Sequence, residues 1–272
     1  MSSVKLMGIV NVTPDSFSDG GLFLDPEAAV GHGRELAAEG ADLLDVGGES
    51  TRPGAEAVGP EEELQRVAPV VERLAADGAA PVSIDTSKLA VAAGAVDAGA
   101  GMVNDVTALR AEPELADLCA ERDVEVVLMH MLGTPRTMQD DPTYDDVVDD
   151  VKAFLAERIE FATSRGISEE RIWVDPGIGF GKTVDHNLEL LRRLGELAEL
   201  GRPIAVGTSR KSFIGKLTGA EVDQRLGGTI ASCVLAASNG ADMLRVHDVA
   251  PVREALTTAE AISEGGTLLE SP

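Results

Sequence analysis

Eight short apolar runs alternate with helix-period segments, and this alternation limits the possible fold more than any other feature. The runs are Leu6–Val10, Leu43–Val46, Pro81–Ile84, Met102–Val103, Val124–Met129, Ile172–Val174, Ile204–Val206 and Met243–Val246. Short, aliphatic and β-branched, they read as strands buried on both faces, as in a parallel sheet. Leu64, Val67, Val71 and Leu74 recur at three- or four-residue spacing, as do Val148, Val151, Leu155, Ile159 and Ala162, and both sets read as amphipathic helices. Pro69 falls inside the first helix and is expected to kink it. Shared among eight runs, the 272 residues give about 34 per strand–helix unit, which suits a (β/α)8 barrel of roughly 250 residues. A doubly wound open sheet is the alternative. The barrel is preferred because the units are regular, no composition shift marks a linker, and no run precedes a dinucleotide fingerprint. The expectation is an α/β chain whose residues 1–272 form one barrel domain, with an active site at the C-terminal ends of its strands.

Those strand ends are polar without exception. They read Asn11; Asp45 through Gly54; Asp85-Thr86; Asn104-Asp105; His130; Asp175 through Lys182; Thr208 through Ser212; and Arg245-Val-His247-Asp248. In a barrel all of these converge on one face. A single polar end could be a helix cap, and Asp85, Ser87 and Ser212 each qualify; eight together exceed what capping explains. The first end is also long: from Asn11 to Asp25, where a helix is expected to start, it exceeds the two to six residues typical of a strand-to-helix turn.

Several tempting motifs fail. Gly181-Lys182-Thr183 lacks the upstream glycine of a Walker loop, because position 176 is Pro, and G-x-G-x-x-G fails because position 182 is Lys. His32, His130, His186 and His247 have no metal-ligand spacing, so zinc is not expected. His32 and His186 fall in helical segments and are expected to be solvated or packed. His247 stands at a strand end two residues after Arg245, so both side chains point to the same side; a core histidine bonded to backbone is its bland alternative. Cys119 and Cys233 are isolated and read as small buried hydrophobes.

Charge narrows the partners. A net charge of −24 argues against nucleic acid or an anionic membrane. No apolar run approaches the length of a membrane span, and Met1–Lys5 leads straight into the first strand, so no signal peptide is expected and the cytoplasm is the natural location. Only 6 of the 23 basic residues are Lys, and this acidic, Lys-poor surface suits a salt-adapted source. Within it, Arg52, Arg245, His247 and Lys211 form a local cationic set able to hold a phosphate. Asp85, Asn104 and Asp175 suit a flat heterocycle with adjacent N–H donors. Alternatively, these acids simply pair with the cations just named.

Taken together, NVTPDSFSDGG, DVGGESTRPGA, SIDTSK, VNDV, VLMHM, DPGIGFGKT, GTSRKSFIG and RVHDV resemble the dihydropteroate synthases of the pterin-binding family, in order from Met7 to Val249. The resemblance implies a homodimeric (β/α)8 barrel that joins 6-hydroxymethyl-7,8-dihydropterin diphosphate to 4-aminobenzoate with Mg²⁺ as cofactor. It further implies that Asp85, Asn104 and Asp175 hold the pterin edge and that Lys211 contacts both pterin and aminobenzoate. Asn11 would be the one protein ligand of Mg²⁺. Arg245 and His247 would hold the diphosphate, joined by Arg52. Thr51, Arg52, Pro53, Phe180 and Ser212 would shape the aminobenzoate pocket, which sulfonamides also occupy, and Phe17 and Asp19 would come down with the first loop. Lys211, Asp19, Arg52 and Asp175 are the implied catalytic set. A methyltetrahydrofolate methyltransferase would have no use for Ser-Arg-Lys-Ser, and a pterin-binding paralogue without activity should have lost Asp19, Thr51 or Arg52. One departure is that the first strand begins by residue 5, whereas many family members carry an N-terminal hairpin at the barrel bottom.

Overall fold

A computed structural model describes residues 4–13, 26–50, 57–134 and 137–263. The apolar runs become β1 (Lys5–Asn11), β2 (Leu43–Gly47), β3 (Val82–Asp85), β4 (Met102–Asp105), β5 (Glu125–Met129), β6 (Ile172–Asp175), β7 (Ala205–Val206) and β8 (Met243–Val246). All pairings are parallel, in the order β6-β5-β4-β3-β2-β1-β8-β7. A parallel bridge between Val174 and Ile204 joins the two ends of that ribbon. The sheet closes as expected, and the open-sheet alternative falls.

The helices are α1 (Pro26–Ala38), α2 (Pro60–Asp77), α3 (Leu89–Asp97), α4 (Leu115–Arg122), α5 (Val147–Ser164), α6 (Val184–Arg192), α7 (Ser212–Thr218), α8 (Leu226–Ser238) and α9 (Val249–Ser263). Local chemistry sets their ends. α2 opens with Pro60 in its first turn, followed by Glu61, Glu62 and Glu63, where acids complement the helix dipole, and closes on Gly78 at φ 64°. It continues through Pro69 as one helix. The Asp146 side chain caps α5 by accepting from Val148 N and Asp149 N. At α6, Thr183 and His186 form a reciprocal capping box, which gives His186 a more specific role than solvation or packing.

Strand parity divides the core in two. Leu6, Val10, Leu44, Val46, Ile84, Val103, Leu128, Val174 and Leu244 belong to the shell between sheet and helices. The alternate positions Met7, Leu43, Met102, Val127, Trp173, Ala205 and Met243 pack together inside the barrel as its bottom layer. Trp173 is 7 % exposed; its Nε1 donates to Glu125 Oε2 at 2.6 Å, and Lys5 Nζ stands 5.2 Å from the ring centroid. The aromatic ring fills the barrel axis while its polar tip and the lysine face outward. Trp173→Ala should therefore cost about 3–5 kcal/mol in urea unfolding, with Trp173→Phe losing clearly less. Equal losses would mean that the hydrogen bond, and not the filled volume, closes the bottom.

Candidate active site

Two residues beyond the bottom layer, the same inward faces carry Asp45, Asn104, Asp175 and Arg245, directly above Leu43, Met102, Trp173 and Met243. Parallel strands in a closed barrel put them at one mouth, and register aligns Gly47 with Asp85 and Asp85 with Asn104. Arg245 sits at the centre. Its Nε donates to Asp45 Oδ2 at 2.6 Å and its Nη2 to Asp85 Oδ2 at 2.7 Å. Asn104 Nδ2 donates to the same Asp45 oxygen at 3.0 Å. The alternative in which acids pair with cations is thus realised for Arg245 and Asp85. Burial pushes the Asp85 carboxyl up to about 7, against the pull of Arg245.

Asp175 closes β6, and its Oδ1 accepts from Gly177 N at 2.6 Å. Burial raises its carboxyl above the ordinary value, with Lys211 acting most strongly in the opposite sense. The loop that follows is built around close approaches. Gly177 has φ +68°, and a Cβ there would lie 1.9 Å from the His130 carbonyl oxygen; Gly179 has φ +85°, and its Cβ would press on Lys211 Cδ at 3.2 Å. Lys211 Nζ donates to the Ile178 carbonyl and stands 4.7 Å from the Phe180 ring centroid. Phe180 itself packs on Val106, Met129, Met131 and Met138. Burial lowers the Lys211 amine to about 8, with Asp175 opposing. Lys182 turns inward, its Nζ 2.8 Å from His130 Nδ1, and burial drives the His130 imidazole down to about 2.

The remaining expected residues are less tightly gathered. His247 Nδ1 lies 2.9 Å from Ser209 Oγ, at the same mouth as Asp175. The intervening Arg210 adopts φ 56° and pairs with both Asp248 oxygens at 3.0 and 2.6 Å. Asn11 ends β1 opposite Gly47, and its carboxamide makes no hydrogen bond among the described residues. Ser212 is the exposed first residue of α7. None of Asp85, Ser87 and Ser212 caps a helix: the N-cap positions of α3 and α7 are Lys88 and Lys211. Phe17, Asp19, Thr51, Arg52 and Pro53 lie outside the described residues.

Sequence reasoning missed two acids. Asp45 reads as the start of a polar strand end, but β2 continues to Gly47 and places it inside the barrel, 0 % exposed. Glu63 sits on the apolar stripe of α2 with Val67, Val71 and Leu74, also 0 % exposed. It accepts from Thr86 Oγ1 at 2.7 Å and from Lys88 Nζ, which also reaches Glu49 Oε2 and the Val58 carbonyl, each at 2.8 Å. The signal was present in both cases, as an acid standing where the period calls for an apolar residue.

Similarity to known proteins bears on this site. Residues 7–247 match the family described as pterin binding enzyme. The dihydropteroate synthase of Escherichia coli strain K12 is 47 % identical, covering 96 % of this chain and 92 % of that protein. The Xanthomonas albilineans dihydropteroate synthase structure with 4-aminobenzoic acid is 56 % identical with a TM-score of 0.90, covering 96 % of this chain and 93 % of that one. A structure of dihydropteroate synthase from the same organism in complex with 7,8-dihydropteroate is 53 % identical with a TM-score of 0.86, covering 96 % and 94 %. The chain belongs to the pterin-binding enzyme family and stands among its dihydropteroate synthases.

Arg245→Met should destabilise the protein by about 3–5 kcal/mol at pH 8, because it leaves two buried carboxylates without their cation. The folded-state Asp85 value of about 7 lies above its ordinary 3.8, so the folded state holds a proton that the unfolded state releases between them. That term removes stability as pH rises from about 4 to 7. Urea melts of the variant should recover as pH falls below 7; a loss independent of pH would show that the pairing is not what Arg245 contributes.

Proposed function

We propose that this chain catalyses the dihydropteroate synthase reaction, joining 6-hydroxymethyl-7,8-dihydropterin diphosphate and 4-aminobenzoate to give 7,8-dihydropteroate and diphosphate. The observation that carries the reading is one barrel mouth lined by Asp85, Asn104, Asp175, Lys211 and Arg245, in a chain nearly half identical to E. coli dihydropteroate synthase over almost its full length. Asp85, Asn104 and Asp175 hold the aminopyrimidinone edge of the pterin by accepting its N–H bonds. Lys211 contacts both substrates, Phe180 and Ser212 border the aminobenzoate, and Thr51, Arg52 and Pro53 are assigned to the same pocket by family resemblance alone.

In the reaction the C–O bond between the pterin methylene and diphosphate breaks, and the leaving oxygens carry the electron pair away. Arg245, with His247 and Arg52, stabilises that departing charge. Asp19 offsets positive charge on the pterin fragment. The neutral arylamine forms the C–N bond and releases its proton to solvent, so no strong general base is required. Water must be kept out while the cation lives.

Mg²⁺ fits the donor set. Among the described residues, no group of three His, Cys, Asp or Glu could cage a metal, and the Asn11 carboxamide at the end of β1 makes no hydrogen bond. One protein oxygen with diphosphate oxygens and water is a coordination that Mg²⁺ favours, and it would supply charge neutralisation of the diphosphate. A homodimer in the cytoplasm is the accompanying expectation. No helix among the described residues is long and apolar enough to cross a membrane.

Lys211→Ala and Asp175→Ala should each lower kcat/KM by about 100-fold or more while the melting transition survives; near-normal turnover in either would end the assignment. With Lys211 required as a cation and titrating near 8, kcat/KM for the pterin diphosphate should fall above about pH 8. Lys211→Arg should lose that limb. By calorimetry, Arg245→Ala should weaken diphosphate-bearing pterin far more than aminobenzoate.

A further inference from the structure

Asp45 is poorly explained as a stability device. A carboxylate sealed inside a barrel loses several kcal/mol of hydration, and an apolar residue of similar size is often as good or better for stability. Its Oδ1 has no hydrogen-bond partner among the described residues, and a half-satisfied buried acid is a worse structural element than none. What Asp45 does have is position. One level above Leu43, it is in register with Ile9 on β1 and Ser83 on β3, at the floor of the mouth.

Its Oδ2 alone receives both Asn104 Nδ2 at 3.0 Å and Arg245 Nε at 2.6 Å. An oxygen already receiving a guanidinium N–H acts as an acceptor, so it turns the NH₂ of the Asn104 carboxamide inward. The Asn104 carbonyl oxygen then has no protein donor among the described residues and is left to accept from a ligand. The same oxygen fixes the Arg245 plane. With Nε on Asp45 and Nη2 on Asp85, the guanidinium is held along two edges, and Nη1 makes no hydrogen bond among the described residues.

We propose that Asp45 is the positioning residue of the ring-binding site, one carboxylate oxygen setting which atom Asn104 presents and which edge of Arg245 faces the substrate. This rests on the synthase reading above. Asp45 touches no reacting atom in it; it acts through Asn104 and Arg245.

Asp45→Ala removes the shared acceptor, whereas Asp45→Asn can keep an amide oxygen in the Oδ2 place for both donors and is the conservative control. In Asp45→Ala, KM for the pterin diphosphate should rise about tenfold or more, the scale of one lost buried hydrogen bond, and Asp45→Asn should restore most of it. KM for 4-aminobenzoate at saturating pterin should stay within about twofold, and the melting temperature within a few degrees. In an Asn104→Ala background, Asp45→Ala should raise the pterin KM by much less than it does alone, since the group it acts through is gone. Calorimetric binding of 6-hydroxymethylpterin, without diphosphate, reads the Asn104 arm apart from turnover. Asp45→Ser should behave like Asp45→Ala and serves if the latter does not fold. Unchanged pterin affinity, or independent effects in the double variant, would overturn the proposal. Both substrate KM values rising together with a lost melting transition would do so too, by showing a merely structural acid. An unmutated protein that binds pterin but makes no dihydropteroate would instead sink the synthase reading and leave the binding test of Asp45 standing.

Discussion

A single guanidinium makes the mouth of this barrel possible. Asp45 and Asp85 stand on neighbouring strands with their side chains turned into the same low-dielectric space, where either charge alone would be strongly disfavoured. Arg245 answers both at once, using two different nitrogens. Because its fork is rigid, satisfying both acids also fixes its plane. Asn104 joins through Asp45, and Lys211 feels Asp175, Arg245 and Asp85 together. Charges in the site are therefore set as a group, and any one of them can be understood only with its neighbours.

That polar layer rests on a dry one. The strands turn alternate side chains inward, so the residues two positions back form the layer of Met7, Leu43, Met102, Val127, Trp173, Ala205 and Met243. Three methionines and a tryptophan give this layer the adaptable volume that an irregular barrel interior requires. Keeping water from entering below strengthens every charge interaction above. At the rim, the glycines after β6 allow backbone to approach His130 and Lys211 more closely than any side chain would permit. The Glu63–Lys88–Glu49 chain ties α2 to the ends of β2 and β3 in a similarly compact way.

Much of this was legible beforehand, for an identifiable reason. Strand–helix alternation depends on local periodicity, and polar residues at strand ends can only gather at one mouth once the strands are parallel. Asp85, Asn104, Asp175, Lys211 and Arg245 were found on that logic. Asp45 and Glu63 were missed because an acid within an apolar pattern was read as the pattern's edge and not as a buried partner awaiting a distant cation. Pro69, expected to kink α2, lies inside a helix that runs from Pro60 to Asp77.

By itself the sequence determined the number and kind of elements, the barrel they close into, and the residue types that face its mouth, since all of these follow from spacing along the chain. Only the tertiary structure decided who pairs with whom. Arg245 and Asp45 lie 200 positions apart, and nothing local indicates that they meet, or that Asn104 shares their oxygen. Pairing across a closed barrel depends on register between strands and on the depth at which each side chain sits, and those quantities exist only after the sheet has closed.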